Sequence, residues 1–271
     1  MKLGFIGAGN MASAIMQGAV SKGFLSEEDI LIYDIDLVQC EKKRAIYPKV
    51  QVAQNNAALV QEADVVILAV KPVYYEPVLQ EIRPYVNGKR IISIAAGWTY
   101  AMLTDILDGT SGAQVLRVSP NTPASVGEGF TAFCEETNFD VAALRWAHGL
   151  FETLGDTCTA PERLFNAIIA VSGSSPAYVY MFIEAMADGA VKLGLPRALS
   201  YRAAAQAVLG AAKMVQVTGE HPGKLKDDVC SPGGTTIEAV YQLERGGMRA
   251  AVISAMEACV EKCVKLEQEQ K

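Results

Sequence analysis

The fold class this sequence predicts is α/β, a half built on a mostly parallel sheet, followed by an all-helical half. Three observations predict it. Over the first ~160 residues, short apolar runs alternate with helix-period segments, the grammar of parallel strands joined by crossover helices. After Pro161 the strand runs stop and long helical segments take over. The chain has 271 residues, long for one compact unit and comfortable for two. The boundary is expected near residue 160, giving domains of 1–160 and 161–271.

Each element has its own reason. The strand candidates are 2–6, 30–33, 65–70, 90–94 and 114–118, near-continuous apolar runs that suit strands covered on both faces. A further strand is expected at 129–134 and a helix at 141–154. Beyond the boundary, 176–193, 196–218 and 248–266 read as helices, with Pro176 and Pro196 at first-turn positions. The last carries apolar residues at 248, 252, 255, 259, 263 and 266, a face of period near 3.6. Segment 203–212 is Ala-rich nearly all round. Such a helix must be buried by something, and a homo-oligomeric interface is preferred here over a larger intrachain core.

Composition narrows the function classes. With 51% apolar and 20% charged residues a sizeable core can form and disorder is disfavoured. A net charge of −6 with no long basic run gives nucleic-acid binding little support. Lys42-Lys43-Arg44 reads as a solvated helix face. No apolar run of about 18 residues points to a membrane span, no signal peptide is read, and the expected location is cytoplasmic. The cysteines at 40, 134, 158, 230, 259 and 263 form no C-x-x-C pair, and with only His148 and His221 no metal-ligand spacing is found. Cys259 and Cys263 fall on the core stripe of the last helix.

The first strand runs into G-A-G-N-M-A at 7–12 and then a helix. This is G-x-G-x-x-A in the strand–turn–helix context of a Rossmann dinucleotide site. Gly7 permits the tight turn, Gly9 lets backbone approach a pyrophosphate, and Ala12 allows close helix–sheet packing. The helix N-terminus then offers free N–H groups and a positive dipole end. Asp34 ends the second strand, where a carboxylate accepts from ribose hydroxyls and repels a 2′-phosphate; Asp36 competes for that role, and either residue also suits a turn or a cap. No Arg follows closely. Two more strand ends, A-V-K-P at 69–72 and A-A-G at 95–97, converge on the same edge. Lys71 there reads as a phosphate contact or as a solvated loop residue. R-V-S-P-N-T-P at 117–123 reads as a rigid turn near the nicotinamide or as an ordinary loop brace.

In the helical half, S-P-G-G-T-T at 231–236 is out of place. Two adjacent glycines are costly to order and Pro removes a donor. Read alone, the segment is a helix–helix turn with N-cap residues leading into a helix at 235–243.

A-V-K-P, A-A-G, P-N-T-P and above all L-K-D-D-V-C-S-P-G-G-T-T-I-E-A-V at 225–240 resemble the pyrroline-5-carboxylate reductase family over essentially the whole chain. The resemblance implies a Rossmann domain followed by a helical dimerisation domain, with dimers that often assemble into decamers. It implies reduction of the cyclic imine 1-pyrroline-5-carboxylate to L-proline with NADPH or NADH. It places substrate on Ser231, Gly234, Thr235 and Thr236, with Thr236 catalytic through a hydrogen bond to the ring nitrogen. It places the cofactor against Gly7, Gly9, Asn10, Met11, Asn56, Ala69, Lys71, Pro72 and Asn121. The physics agrees, because a small carboxylate needs donors without bulk and a Gly-Gly turn opening a helix supplies them. Ser119 stands where the family usually has Met or Thr before P-N-T-P, a departure that bears on the nicotinamide pocket; His221 reads as structural.

Ketone reductases need a general acid, and related hydroxyacid dehydrogenases carry a Lys on the first long interdomain helix. Here 172–182 reads S-G-S-S-P-A-Y-V-Y-M-F, without Lys. An iminium brings its own proton, so orientation is the main demand on the protein; Tyr178 is a poor acid at its ordinary pKa of about 10. Many family members favour NADPH and end their second strand in small or basic residues, whereas Asp34 points to NADH. The competing readings are a related reductase of another small cyclic imine or 2-oxo acid, and a non-catalytic NAD sensor.

Overall fold

The computed structural model describes residues 1–107 and 112–270. Among these the chain forms two compact units: Met1–Ser174 together with Cys259–Lys271, and Ser175–Ala258.

The first unit is a three-layer α/β structure. Its strands are β1 (Leu3–Ile6), β2 (Ile30–Tyr33), β3 (Gln51–Val52), β4 (Val65–Leu68), β5 (Arg90–Ser93), β6 (Gln114–Ser119), β7 (Gly129–Cys134) and β8 (Gly155–Ala160). They form one sheet in the order β3-β2-β1-β4-β5-β6-β7-β8. All neighbours are parallel except β6 and β7, which pair antiparallel through Val118–Phe133 and Ser119–Ala132. Expected strands 30–33 and 129–134 are found with those bounds, and the others shift by one or two residues at an end. β3 and β8 were not expected, because β3 is two residues long and G-D-T-C-T-A is a polar, half-exposed edge strand.

Strand alternation divides the core. On one face Leu3, Phe5, Ile30 and Ile32 pack with Ile15, Met16 and Ala19 of α1 (Asn10–Ser21) and with Ala147, Leu150 and Phe151 of α6 (Val141–Glu152). On the other, Ile6, Val66, Leu68 and Ile91 pack with α3 (Asn56–Glu62), α4 (Tyr75–Ile82) and α5 (Tyr100–Leu107). α2 (Leu37–Ile46) is largely exposed, with only Cys40 buried.

The division falls after Ser174, not near residue 160. The short helix α7 (Phe165–Ile168) stays with the sheet, because Phe165 is buried against Ala132 and Cys134 of β7. Arg117 of β6, itself buried, reaches Glu162 at 2.7 Å and lies 4.7 Å above the Phe165 ring. A π-helical turn, Ile169–Gly173, follows. The end of the chain also returns to this unit. Cys263 is buried, Asn166 donates to Glu267 at 3.1 Å, and the Ser174 hydroxyl lies 3.2 Å from Cys259 Sγ.

The second unit is helical: α8 (Ser175–Lys192), α9 (Arg197–Thr218), α10 (Pro222–Val229), α11 (Thr235–Arg245) and the first part of α12 (Met248–Glu269). Pro176 sits in the first turn of α8, while Pro196 is the N-cap of α9. His221 is structural, as its ring Nδ1 caps α10 by accepting from Gly223 N at 3.0 Å. α9 buries only Ser200 and Ala204 within the chain, so most of 203–212 is uncovered. Among the described residues no helix is long and apolar enough to cross a membrane, and no three His, Cys, Asp or Glu side chains gather as a metal site.

Candidate active site

At the carboxyl edge of the sheet, β1 ends in the turn at 7–9 and α1 begins. Gly7 has φ 99°, where a side chain is strained, and a Cβ there would meet Ala69 O at 2.7 Å. Only glycine fits. Gly9 is the N-cap of α1, a Cβ on it would point into open space, and no side chain caps the helix. The first-turn N–H groups, with Asn10 exposed and Met11 half-buried, are therefore left for an anion. Ala12 is fully buried against the sheet.

Asp34 and Asp36 separate cleanly. Asp36 is the N-cap of α2, accepting from Val38 N at 3.1 Å and from the Gln39 side chain at 3.0 Å. Asp34 instead accepts from Ala8 N at 2.7 Å with one oxygen and from Asp36 N at 2.9 Å with the other. Its carboxylate thus fastens the end of β2 to the glycine turn. A cavity of about 370 Å³ opens beside it, with Gly7, Asp34, Ile35, Asn56, Tyr74 and Glu81 among its walls and no Lys or Arg. Asn56 is buried at the start of α3 and donates to Glu81 at 2.8 Å.

On the far side of the turn, Ala69 N donates to Ile6 O at 2.8 Å and Lys71 is exposed, without a partner among the described residues. Pro72 starts a short 3-10 turn and its carbonyl accepts from Trp98 Nε1 at 3.1 Å. Asn121 is buried, and both ends of its amide are used within the protein: Oδ1 accepts from Phe130 N at 2.9 Å and Nδ2 donates to Ser172 O at 3.0 Å. It ties the P-N-T-P turn to the π-helical turn, which is the loop-brace role the sequence left open. Tyr75 and Trp98, which sequence reasoning passed over, sit directly behind A-V-K-P and A-A-G. The signal available for them was an aromatic a few residues past each strand end.

In the second unit, Ser231, Gly234, Thr235 and Thr236 come together at the entry to α11. Gly234 N donates to Ser231 O at 3.0 Å, and Gly233 takes a left-handed φ of 67°. Gly234 is the N-cap of α11, and a Cβ on it would lie 2.3 Å from Ser231 Oγ. No side chain caps α11. Among the described residues the hydroxyls of Ser231, Thr235 and Thr236 have no hydrogen-bond partner. The two glycines answer two demands, a left-handed turn and a cap with no room for a side chain.

An uncapped helix behind a glycine turn, an acidic residue fixed to that turn and a cavity at the sheet's carboxyl edge fit a dinucleotide, and they define an oxidoreductase of the dinucleotide-dependent class. Residues 162–266 match the family model described as pyrroline-5-carboxylate reductase dimerisation, and residues 2–97 match NADP oxidoreductase coenzyme F420-dependent. The chain is 44% identical to pyrroline-5-carboxylate reductase of Escherichia coli over 268 residues, covering 98% of each. It is 42% identical to the same enzyme of Methanosarcina acetivorans over 259 residues, covering 94% of each. The solved Plasmodium falciparum pyrroline carboxylate reductase with NADP bound superposes with a TM-score of 0.90 at 32% identity, covering 98% of each chain. The chain belongs to the pyrroline-5-carboxylate reductase family.

Proposed function

We propose that the chain reduces 1-pyrroline-5-carboxylate to L-proline by hydride transfer from NAD(P)H, with NADH the preferred donor. The observation that carries this is the turn at 231–236, a bulk-free backbone cap and three unpartnered hydroxyls at the opening of α11. The free N–H groups of the first turn of α11 and the Ser231 hydroxyl bind the substrate carboxylate. The Thr236 hydroxyl accepts from the ring N–H and orients the imine. The dinucleotide supplies the hydride. As hydrogen adds to the imine carbon, the C=N electron pair moves to nitrogen. A nitrogen that enters protonated leaves as a neutral amine, so the chain needs no acid of its own, in keeping with the lack of Lys in 172–182.

Gly7, Gly9, Asn10 and Met11 take the pyrophosphate at α1, with Ala69, Lys71 and Pro72 closing the other side. Asn56 and Asp34 take the adenosine ribose. Asn121 acts at one remove, as the brace of the nicotinamide-side turn. The preference for NADH rests on Asp34 and on a cavity wall without a cation.

The helical unit self-associates, at least as a dimer. Leu209, Met214 and Val217 of α9 and Tyr180 and Met181 of α8 are exposed in the single chain, an apolar surface that a second copy covers. NADH and NADPH oxidation with pyrroline carboxylate, piperideine carboxylate and ketopantoate in turn tests the reading. Turnover confined to one of the latter two would replace it, and no oxidation with any of them would leave a dinucleotide-binding protein without this activity.

A further inference from the structure

Tyr75 is fully buried as the first residue of α4, yet its hydroxyl does not serve the helix. It donates to Leu68 O at 2.6 Å and accepts from Ile94 N at 3.3 Å, with Ser93 Oγ at 3.4 Å. Leu68 and Ser93 are the last paired residues of β4 and β5. The hydroxyl therefore bridges the backbone groups that face each other just past the end of the ladder. Direct pairing of those groups would carry the strands forward side by side. A phenol oxygen between them holds the strands apart and satisfies both groups, which would otherwise be buried without partners. Burial pushes the Tyr75 pKa up to about 12, so the hydroxyl remains a donor to Leu68 O at any working pH.

Trp98 completes the arrangement. Its ring packs 5.4 Å from that of Tyr75, and Nε1 donates to Pro72 O. The two aromatics thus join the loop 69–72 to the loop 95–97 from behind. The position of 69–72 is felt at once by the glycine turn, since Ala69 O lies only 2.7 Å from where a Cβ on Gly7 would be.

We propose that Tyr75 is a positioning residue for the cofactor: its hydroxyl spreads β4 and β5 and sets the spacing of the loops 69–72 and 95–97 against the glycine turn. This rests on the dinucleotide site assigned above to the same loops. The test is binding of NADH to the enzyme without substrate, read by tryptophan fluorescence or calorimetry, with kinetics alongside. Tyr75→Phe removes only the hydroxyl. It is expected to weaken NADH binding about tenfold, and to raise KM for NADH likewise, while kcat at saturation stays within about twofold. Trp98→Phe keeps an aromatic and deletes the bond to Pro72; it is expected to weaken binding about threefold, and it carries the test if Tyr75→Phe does not fold.

Leu103→Ala, in the same apolar cluster but away from the strand ends, controls for general loosening. NADH binding by both aromatic variants within twofold of wild type would overturn the proposal. So would an equal loss of affinity in Leu103→Ala, or a fall confined to kcat. Amide exchange at Ile94 supplies a readout without cofactor. It is expected to speed up in Tyr75→Phe, and unchanged exchange would also count against the bridge. Failure of wild type to bind either dinucleotide would instead remove the site assignment itself.

Discussion

Replacing Asp34 with Ser tests the proposal that its charge sets dinucleotide choice. In NADPH the 2′-phosphate would meet a carboxylate held by Ala8 N and Asp36 N, with no cation among the cavity walls. Two unit charges about 4 Å apart repel by about 1 kcal/mol in bulk water and about 4 kcal/mol at the effective dielectric near a protein surface. That is roughly fivefold to roughly a thousandfold in kcat/KM. The two backbone donors spread the carboxylate charge, so we expect the lower part of that range: NADH preferred by about tenfold to a hundredfold, and the preference largely abolished in Asp34→Ser. Ser also loosens the bond to Ala8, so kcat/KM with NADH falls as well. Asp34→Asn removes the charge while its carbonyl still accepts from Ala8 N, at the cost of the bond from Asp36 N, which the amide nitrogen cannot accept. Steady-state kinetics with both cofactors on the three proteins decide the matter. Wild type preferring NADPH, or a ratio unmoved in both variants, would refute the reasoning.

Thr236→Val should lower kcat with pyrroline carboxylate by about tenfold to a hundredfold while leaving NADH affinity within twofold, as expected for loss of a hydrogen bond to a charged group; wild-type turnover would remove Thr236 from the mechanism. Light scattering at micromolar concentration should give at least twice the mass of the 29.0 kDa chain, and a monomer would refute self-association through the helical unit. Burial raises several groups above their ordinary values, three of them furthest: Tyr75 to about 12, Cys134 to about 12 and Cys263 to about 11. Groups whose pKa is raised on folding favour the native state below their unfolded pKa, and that contribution is lost as pH rises through the folded value. Thermal stability should therefore begin to decline above about pH 9 and be lost progressively toward pH 12; a Tm flat across that interval would show that these groups do not govern alkaline unfolding.

The cofactor edge was legible because its chemistry is local. Gly7 is forced by a left-handed turn against Ala69 O, and Gly234 by the closeness of Ser231, so both glycines were visible as conspicuous residues in a row. Choosing between Asp34 and Asp36 required three dimensions, since each is an acidic residue just beyond a strand and only their hydrogen-bond partners tell a helix cap from a turn clamp. Tyr75, Trp98, Asn121 and the Arg117–Glu162 pair were not legible as site-builders, because each acts on residues 7 to 51 positions away. Such pairings depend on which strands become neighbours, and periodicity carries no trace of that. The division after Ser174 departs from the boundary read near residue 160, where the dimerisation family model begins at 162, because the anchoring of Phe165 beneath β7 is a tertiary contact with no local pattern.

The return of 259–271 to the first unit has a consequence for how the protein is made. A sheet completed by residue 160 would ordinarily be free to finish folding while the rest of the chain is still being synthesised. Here Gly97 packs on Leu266 and Asn166 bonds Glu267, so part of its cover is translated only after the whole of the second unit. Until those residues have left the ribosome, the nascent first unit presents an unfinished side to the cell. Termination shortly before residue 259 would leave the second unit its part of α12 but strip the first unit of its own, so the integrity of the sheet unit depends on residues made after the helical unit is complete.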